Sequence, residues 1–366
     1  MVEWRNISRA VQDKMATIPI TTPAQTPDSN GLWLSQLYPP LVPLFERVEE
    51  KLRQLAQAEQ FTLAEGGAYT ISGPGKRLRP ALLLLSAEAC GGANEGALDL
   101  AAAVELLHTA SLVHDDVVDE AAWRRGKEAA RICWGNKISV LLGDYLFCRA
   151  LSHLLLTAGR ESLQQLFEVA RQMCQGQVAE LTEMGPDLGE ARYQEIIAAK
   201  TAALFRFCGE AGARCAGAMP ETVTCFAEFG ENFGLAFQLA DDIQDLVGSQ
   251  EISGKPVNHD LRQQKVTLPI IYTLKALQGE SREVFYQTLL SSRRSEEDLR
   301  QLAEAASSCG GIAYARRVCL EYQQAARQAL PDSIPLPPEA GKLAQLARQA
   351  LSRLCEGAFP LPVLPA

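Results

Sequence analysis

Two acidic clusters hold the residues best suited to chemistry: Asp115-Asp116-Val117-Val118-Asp119 and Asp241-Asp242-Ile243-Gln244-Asp245. In a helix, Asp115 and Asp119 share a face, as do Asp241 and Asp245, because they stand four residues apart. Like charges at that spacing destabilise an isolated helix by about 0.3 kcal/mol, so the arrangement calls for a compensating cation. Donors that are all oxygen, with no nitrogen or sulfur nearby, suit Mg²⁺. One such cluster alone reads better as a solvated helix end. Two copies, each closing a strongly apolar stretch, favour a metal site. If the two stretches are neighbours in a bundle, the clusters can face each other across a cavity and hold a polyanion bridged by Mg²⁺.

The basic residues fit a polyanion. Lys76-Arg77-Leu78-Arg79 follows a Gly73-Pro74-Gly75 turn and opens a helix, a place that favours phosphate. Arg124-Arg125-Gly126-Lys127 follows the first acidic cluster, and Lys255 and Lys265 follow the second. Arginine forks onto phosphate oxygens and lysine acts as a point charge. Any one of these residues alone would be an ordinary surface charge. Their repeated adjacency to carboxylates points to a diphosphate.

The elements that must position these groups are helical. From Leu34 onward, stretches rich in Ala, Leu, Glu, Gln and Arg alternate with short Gly or Pro breaks. The pattern predicts helices over roughly 38–60, 78–90, 97–121, 136–157, 161–183, 191–217, 221–247 and 310–330. No alternating strand with a hairpin signal stands out. Gly91-Gly92, Met219-Pro220 and Pro335-Leu336-Pro337-Pro338 read as loops between helices. Segments 97–121 and 221–247 are apolar on most faces, which marks central helices. The expectation is an all-α fold, one large bundle over 33–356, preceded by a flexible leader (1–32) and followed by a Pro-rich tail (357–366).

Composition narrows the function. The net charge of -9 disfavours nucleic acid, which needs a basic surface. The ten cysteines form no C-x-x-C pair, so they read as small core residues in a reducing compartment rather than zinc ligands. No uninterrupted apolar run long enough to cross a membrane is present, and the N-terminus lacks a secretory pattern. A cytoplasmic protein, peripheral to a membrane at most, is expected.

The motifs G-K-R-L-R-P (75–80), L-L-H-T-A-S-L-V-H-D-D-V-V-D (106–119), R-R-G-K (124–127), G-D-Y-L (143–146), K-T (200–201) and F-Q-L-A-D-D-I-Q-D (237–245) appear in order. G-K-P-x-x-x-D-L and K-V-T-L-P complete the series (254–261 and 265–269). In these residues the chain resembles the trans-isoprenyl diphosphate synthases, or polyprenyl synthetases, over about 41–355. The resemblance implies an isoprenoid-synthase bundle. Lys76, Arg79, His108 and Arg125 would bind isopentenyl diphosphate. Asp115, Asp119 and Asp241 would carry Mg²⁺, three ions in all, and clamp an allylic diphosphate such as farnesyl or geranylgeranyl diphosphate. Arg124, Lys200 and Lys255 would contact that same diphosphate, with Lys265 nearby, and Thr201 and Gln238 would lie against the reacting carbons. Asn258 and Gln264 stand where the family usually has glycines, and Glu128-Ala129 replaces its usual Pro-Thr.

The implied reaction is ionisation of the allylic carbon–oxygen bond, attack by the isopentenyl double bond, and loss of a proton to the departed diphosphate. In this family, residue size ahead of the first cluster measures product length. Here Ala110 and Ser111 are small, and Leu107 and Val104 beyond them are not aromatic. A long product, hexaprenyl to decaprenyl, is therefore expected. A geranylgeranyl diphosphate synthase is the shorter alternative. A terpene cyclase would not need Lys76, Arg79 and His108, and a non-catalytic subunit would be expected to lose aspartates or basic ligands. A homodimer is expected by resemblance, through apolar faces between 97 and 157, and a helper subunit is compatible with the sequence.

Overall fold

The computed structural model describes residues 38–73, 75–247, 258–291 and 293–330, together with Ala347, Gln349 and Leu351. The leader, the Pro335–Pro338 loop, the tail and Lys255 lie outside the described residues. The order is α1 (Leu41–Leu55), α2 (Phe61–Ile71), α3 (Leu78–Ala89), α4 (Glu95–Val118), a short hairpin, α5 (Ala130–Thr157), α6 (Gly159–Glu183) and α7 (Glu190–Ile197). A π-helical turn (Ala198–Ala202) then leads into α8 (Ala203–Cys215), and α9 (Pro220–Val247) follows. The chain continues through α10 (His259–Arg262), α11 (Leu268–Ala276), α12 (Gly279–Leu290), α13 (Glu296–Ser308) and α14 (Gly311–Ala329). The all-α expectation holds.

Among the described residues, five helices, α2, α10, α11, α12 and α13, and the hairpin lie beyond the expected helices. Helix α2 carries Gly66-Gly67, which masks its helical tendency, and α11 is rich in β-branched and aromatic residues, Ile270-Ile271-Tyr272-Thr273. Helix α12 opens on Gly279-Glu280-Ser281. Helix α13, by contrast, announces itself through a capping box in which Ser295 and Asp298 exchange side-chain and backbone hydrogen bonds. The hairpin pairs Trp123 with Glu128 and Arg124 with Lys127. Its two turn residues, Arg125 (φ 52°) and Gly126 (φ 77°), both take positive φ, the type I′ geometry that closes a two-residue loop.

Helix α4 is central, as its sequence predicts, with fifteen of its residues buried, from Ala97 to Asp116. Helix α3 is equally central: Leu82, Leu83, Leu84 and Leu85 are all fully buried, each contributing about 2 kcal/mol relative to exposure. Helix α8 packs against both α4 and α9, while α4 and α9 touch each other little. The two acidic helices are therefore bridged by α8 rather than packed closely together.

Helices α4 and α5 are each long and apolar enough to cross a membrane by composition. For α4 this reflects burial in the core. Helix α5 differs, because Val140, Leu141, Leu155 and Leu156 face outward.

Candidate active site

Helix α4 sets the geometry. His108 and Asp115 are seven residues apart, two turns along one face. Around His108 the structure gathers arginines. Arg79 Nη1 lies 3.0 Å from His108 Nε2, and the Arg79 guanidinium stacks over the Phe205 ring, 4.4 Å from its centroid. The Arg79 Nε is buried and has no hydrogen-bond partner among the described residues. Burial, with Arg79, Arg125, Arg124 and Arg77 nearby, drives the His108 pKa well below its ordinary value. Burial also lowers Arg79 to about 10, against the pull of Glu105. A neutral imidazole among half-buried guanidiniums, one with an unpaired donor, is short of negative charge. An anion with several oxygens would supply it.

Arg125 joins this group because the hairpin folds onto the turn before α3. A Cβ on Gly75 would sit 2.6 Å from Arg125 Nη1, so a side chain there would displace the guanidinium from this position. Tyr69 holds the hairpin from the other side, donating to the Glu128 carbonyl at 2.9 Å while Lys127 lies over its ring. Of the K-R-L-R run, Lys76 is exposed, whereas Arg77 turns inward with φ 47°. Arg77 pairs with Glu49 at 2.8 Å and Glu105 at 2.7 Å and donates to the Ile71 carbonyl at 2.6 Å. It anchors the start of α3 rather than facing the site.

The second group surrounds the acidic clusters. Asp115 and Asp119 are half-buried on one face at the end of α4, and burial raises the Asp115 pKa, with Lys200 opposing. Asp116 points the other way, into the protein, where it accepts from Arg124 Nε at 2.6 Å. Arg124 is thus tied to the middle aspartate and not to the outer pair. Lys265 lies 3.7 Å from Asp119 Oδ1, so the segment after the second cluster reaches the first.

Glu180 joins the two sides. Its Oε1 accepts from Lys200 Nζ at 2.6 Å and Lys265 Nζ at 2.9 Å. Burial opposes ionisation of Glu180, but the two ammonium groups prevail and hold its pKa below the usual carboxylate value. Gly176, one turn earlier on α6, makes this contact possible: a Cβ there would sit 2.5 Å from the Lys200 backbone nitrogen. Sequence reasoning passed over Glu180. The signal was a lone acidic residue in Val178-Ala179-Glu180-Leu181, four residues after a glycine.

In the second cluster Asp241 is exposed at the end of α9. Asp245, although it shares the helix face expected of it, receives the backbone N–H groups of His259 and Asp260, each at 3.0 Å, and so caps α10. Asp242 is buried and accepts from Gln238 Nε2 at 2.8 Å and from the Tyr193 hydroxyl. Gln238 in turn accepts from Thr201 Oγ at 2.8 Å, so the expected Thr201–Gln238 pair stands together. Ala110 and Leu107 are buried in the bundle, and Ser111 is half-buried with its hydroxyl donating to the His108 carbonyl at 2.8 Å.

Among the described residues, no three His, Cys, Asp or Glu side chains converge to enclose one ion. That suits Mg²⁺, which takes one or two carboxylates and completes its shell with water and phosphate oxygens. Asp115, Asp119 and Asp241 have the donor chemistry for it.

The sequence pattern of the polyprenyl synthetases matches residues 61–306. The chain is 34% identical to a short chain isoprenyl diphosphate synthase of Methanothermobacter thermautotrophicus, over 78% of this chain and 89% of that one. It is 35% identical to the octaprenyl diphosphate synthase of Escherichia coli, over 73% and 84%. A polyprenyl synthase from Caulobacter crescentus, solved with calcium and isoprenyl diphosphate, superimposes with a TM-score of 0.79 at 34% identity, covering 87% of this chain and 98% of that one. With these matches spanning both the arginine group and the acidic clusters, the chain belongs to the polyprenyl synthetase family, the trans-isoprenyl diphosphate synthases.

Proposed function

We propose that this polyprenyl diphosphate synthase condenses isopentenyl diphosphate head to tail with an allylic diphosphate, farnesyl or geranylgeranyl, and builds a long all-trans chain of the hexaprenyl-to-decaprenyl class. The observation that carries the two-substrate reading is the pairing, along one face of α4, of an electron-poor Arg79–His108–Arg125 pocket with the Asp115–Asp119 carboxylates. One place takes a bare diphosphate. The other takes a diphosphate accompanied by metal.

In this reading Asp115, Asp119 and Asp241 hold Mg²⁺, which neutralises charge on the departing diphosphate. Lys200 and Lys265, held by Glu180, face the same charge. Arg79, His108 and Arg125 orient isopentenyl diphosphate, with Lys76 free at the rim to fold over it. Arg124 supports the first cluster through Asp116. Thr201 and Gln238 present polar atoms to the reacting carbons. The Phe205 ring packs against Phe233 and Phe237, an apolar cluster suited to keeping water from a cation. Small Ala110 and Ser111 leave the path of a growing chain without an aromatic floor. The outward apolar face of α5 is the surface for a homodimer.

Product analysis tests this. The purified protein receives farnesyl diphosphate, excess isopentenyl diphosphate and Mg²⁺, with Asp115→Ala as control. Chains of hexaprenyl length or longer, absent in the control, support both reaction and length. Geranylgeranyl diphosphate as the end product would keep the reaction and sink the long-chain reading. No condensation at all, by folded protein, would sink both.

A further inference from the structure

A buried relay stands behind Thr201 and has no place in the reaction as described so far. Tyr193 is fully buried in α7, and its hydroxyl donates to Asp242 Oδ2. Asp242, also buried, accepts on its other oxygen from Gln238 Nε2 at 2.8 Å. Gln238 Oε1 then accepts from Thr201 Oγ at 2.8 Å. Four side chains from α7, the π-helical turn and α9 are thus joined in one line.

With Asp242 ionised, the direction of the hydrogens along this line is set from its buried end. A tyrosine hydroxyl has one hydrogen, and here it goes to Asp242. Burial raises the Asp242 pKa to about 7, against the hydrogen bonds from Tyr193 and Gln238; in its ionised form the carboxylate only accepts, so it requires the amide nitrogen of Gln238 on its second oxygen. The amide cannot then turn over, and its carbonyl oxygen must face Thr201. Thr201 has a single hydroxyl hydrogen and gives it to that oxygen. What remains on Thr201 Oγ is a pair of acceptor lone pairs. If the amide were reversed, the hydroxyl would accept from Gln238 and aim its hydrogen elsewhere. The relay therefore sets whether Thr201 offers electron density or a proton to whatever lies beside it. Beside a developing allylic cation, electron density stabilises and a hydroxyl hydrogen repels.

We infer that Tyr193 is a positioning residue for prenyl transfer, acting through Asp242 and Gln238 to hold the Thr201 hydroxyl with its lone pairs toward the reacting carbons. It touches no substrate, since its hydroxyl is spent on Asp242 and its ring is enclosed. The inference rests on the proposed prenyl-transfer function and on Thr201 lying beside the reacting carbons.

The test is a double-mutant cycle with Tyr193→Phe and Thr201→Val, read as kcat and both KM values in the condensation assay, with thermal unfolding of every variant. Tyr193→Phe is expected to lower kcat about 10-fold, the scale of a lost orientation, with both KM values within about 2-fold of wild type. In the Thr201→Val background it is expected to change kcat no further, because the group it orients is gone. Equal losses in both backgrounds would show a purely structural role and overturn the inference, as would an unchanged kcat in Tyr193→Phe alone. Should Tyr193→Phe fail to fold, Asp242→Asn in the same cycle breaks the same line, and its loss of kcat must likewise vanish with Thr201→Val. A wild-type protein that performs no condensation would fail the proposed function instead, a result separable from any of these.

Discussion

Arg79 Nη1 stands 3.0 Å from His108 Nε2, and because a guanidinium can only donate, the imidazole nitrogen must accept. His108 is therefore neutral, with its proton on Nδ1. Its environment agrees, since burial and the surrounding guanidiniums push its pKa well below 6.5. In the unfolded chain the same imidazole titrates near 6.5, so the unfolded state binds more protons below that pH. The ligand-free protein is expected to lose stability as pH falls through about 6.5, and His108→Gln to flatten that decline.

Isopentenyl diphosphate beside His108 reverses the sign. Its negative charge offsets the guanidiniums and raises the imidazole pKa, so binding takes up a proton. Calorimetry with isopentenyl diphosphate alone, near pH 6, should give heats that depend on the buffer's ionisation enthalpy more strongly in wild type than in His108→Gln. Equal buffer dependence in the two proteins would remove His108 from the diphosphate pocket.

The loop after the second cluster supplies a stability prediction. Asn258 (φ 61°) and Gln264 (φ 63°) both adopt left-handed backbone, the conformation that favours glycine. A side chain in that conformation costs roughly 1 kcal/mol, less for asparagine than for glutamine. Gln264→Gly should therefore raise unfolding stability by about 1 kcal/mol, with a smaller gain for Asn258→Gly. A lower melting temperature for Gln264→Gly would mean that its side chain has a compensating role.

How much of this was legible depends on what each residue does. Asp115, Asp119, Lys200 and Lys265 stand together as their spacing and motif suggest, because a repeated charge pattern on apolar helices has few structural uses. The middle aspartates were not legible. Asp116 and Asp242 look like their neighbours in sequence, yet helical phase turns both inward, to Arg124 and to Tyr193. Glu180 and Tyr193 were hidden for another reason: each is a single ordinary helix residue whose partner lies on a different helix. The hairpin was missed because two residues per strand hold no alternation to detect. Arg77 shows the limit of reading charge alone, since the second basic residue of the K-R-L-R run proves to be a buried structural clamp.

The outward face of α5 gives a prediction about assembly. Leu141 is 58% exposed, Leu155 59% and Leu156 84%, all on α5. If this face pairs with a second copy, Leu141→Glu should convert a dimer to monomer in light scattering while leaving the fold intact by circular dichroism. A variant that elutes with the wild-type mass would place the interface elsewhere.

Product length should respond to Ser111. Its hydroxyl bonds to the His108 carbonyl within its own helix, so replacing it removes no contact between helices. It is half-buried, one turn before Asp115, whereas Ala110 beside it is buried and would be overpacked by a ring. Ser111→Phe places an aromatic floor beneath the first cluster without replacing a metal or diphosphate ligand. The expected outcome is a shift of the main product toward geranylgeranyl length, read by mass spectrometry of the dephosphorylated alcohols, with the first condensation slowed less than about 3-fold because the reacting ends are unaltered. An unchanged product distribution from a folded, active variant would show that the growing chain does not pass Ser111. A loss of the first condensation itself would instead place the ring against the allylic substrate, and residue 111 would line the reaction chamber rather than the path below it.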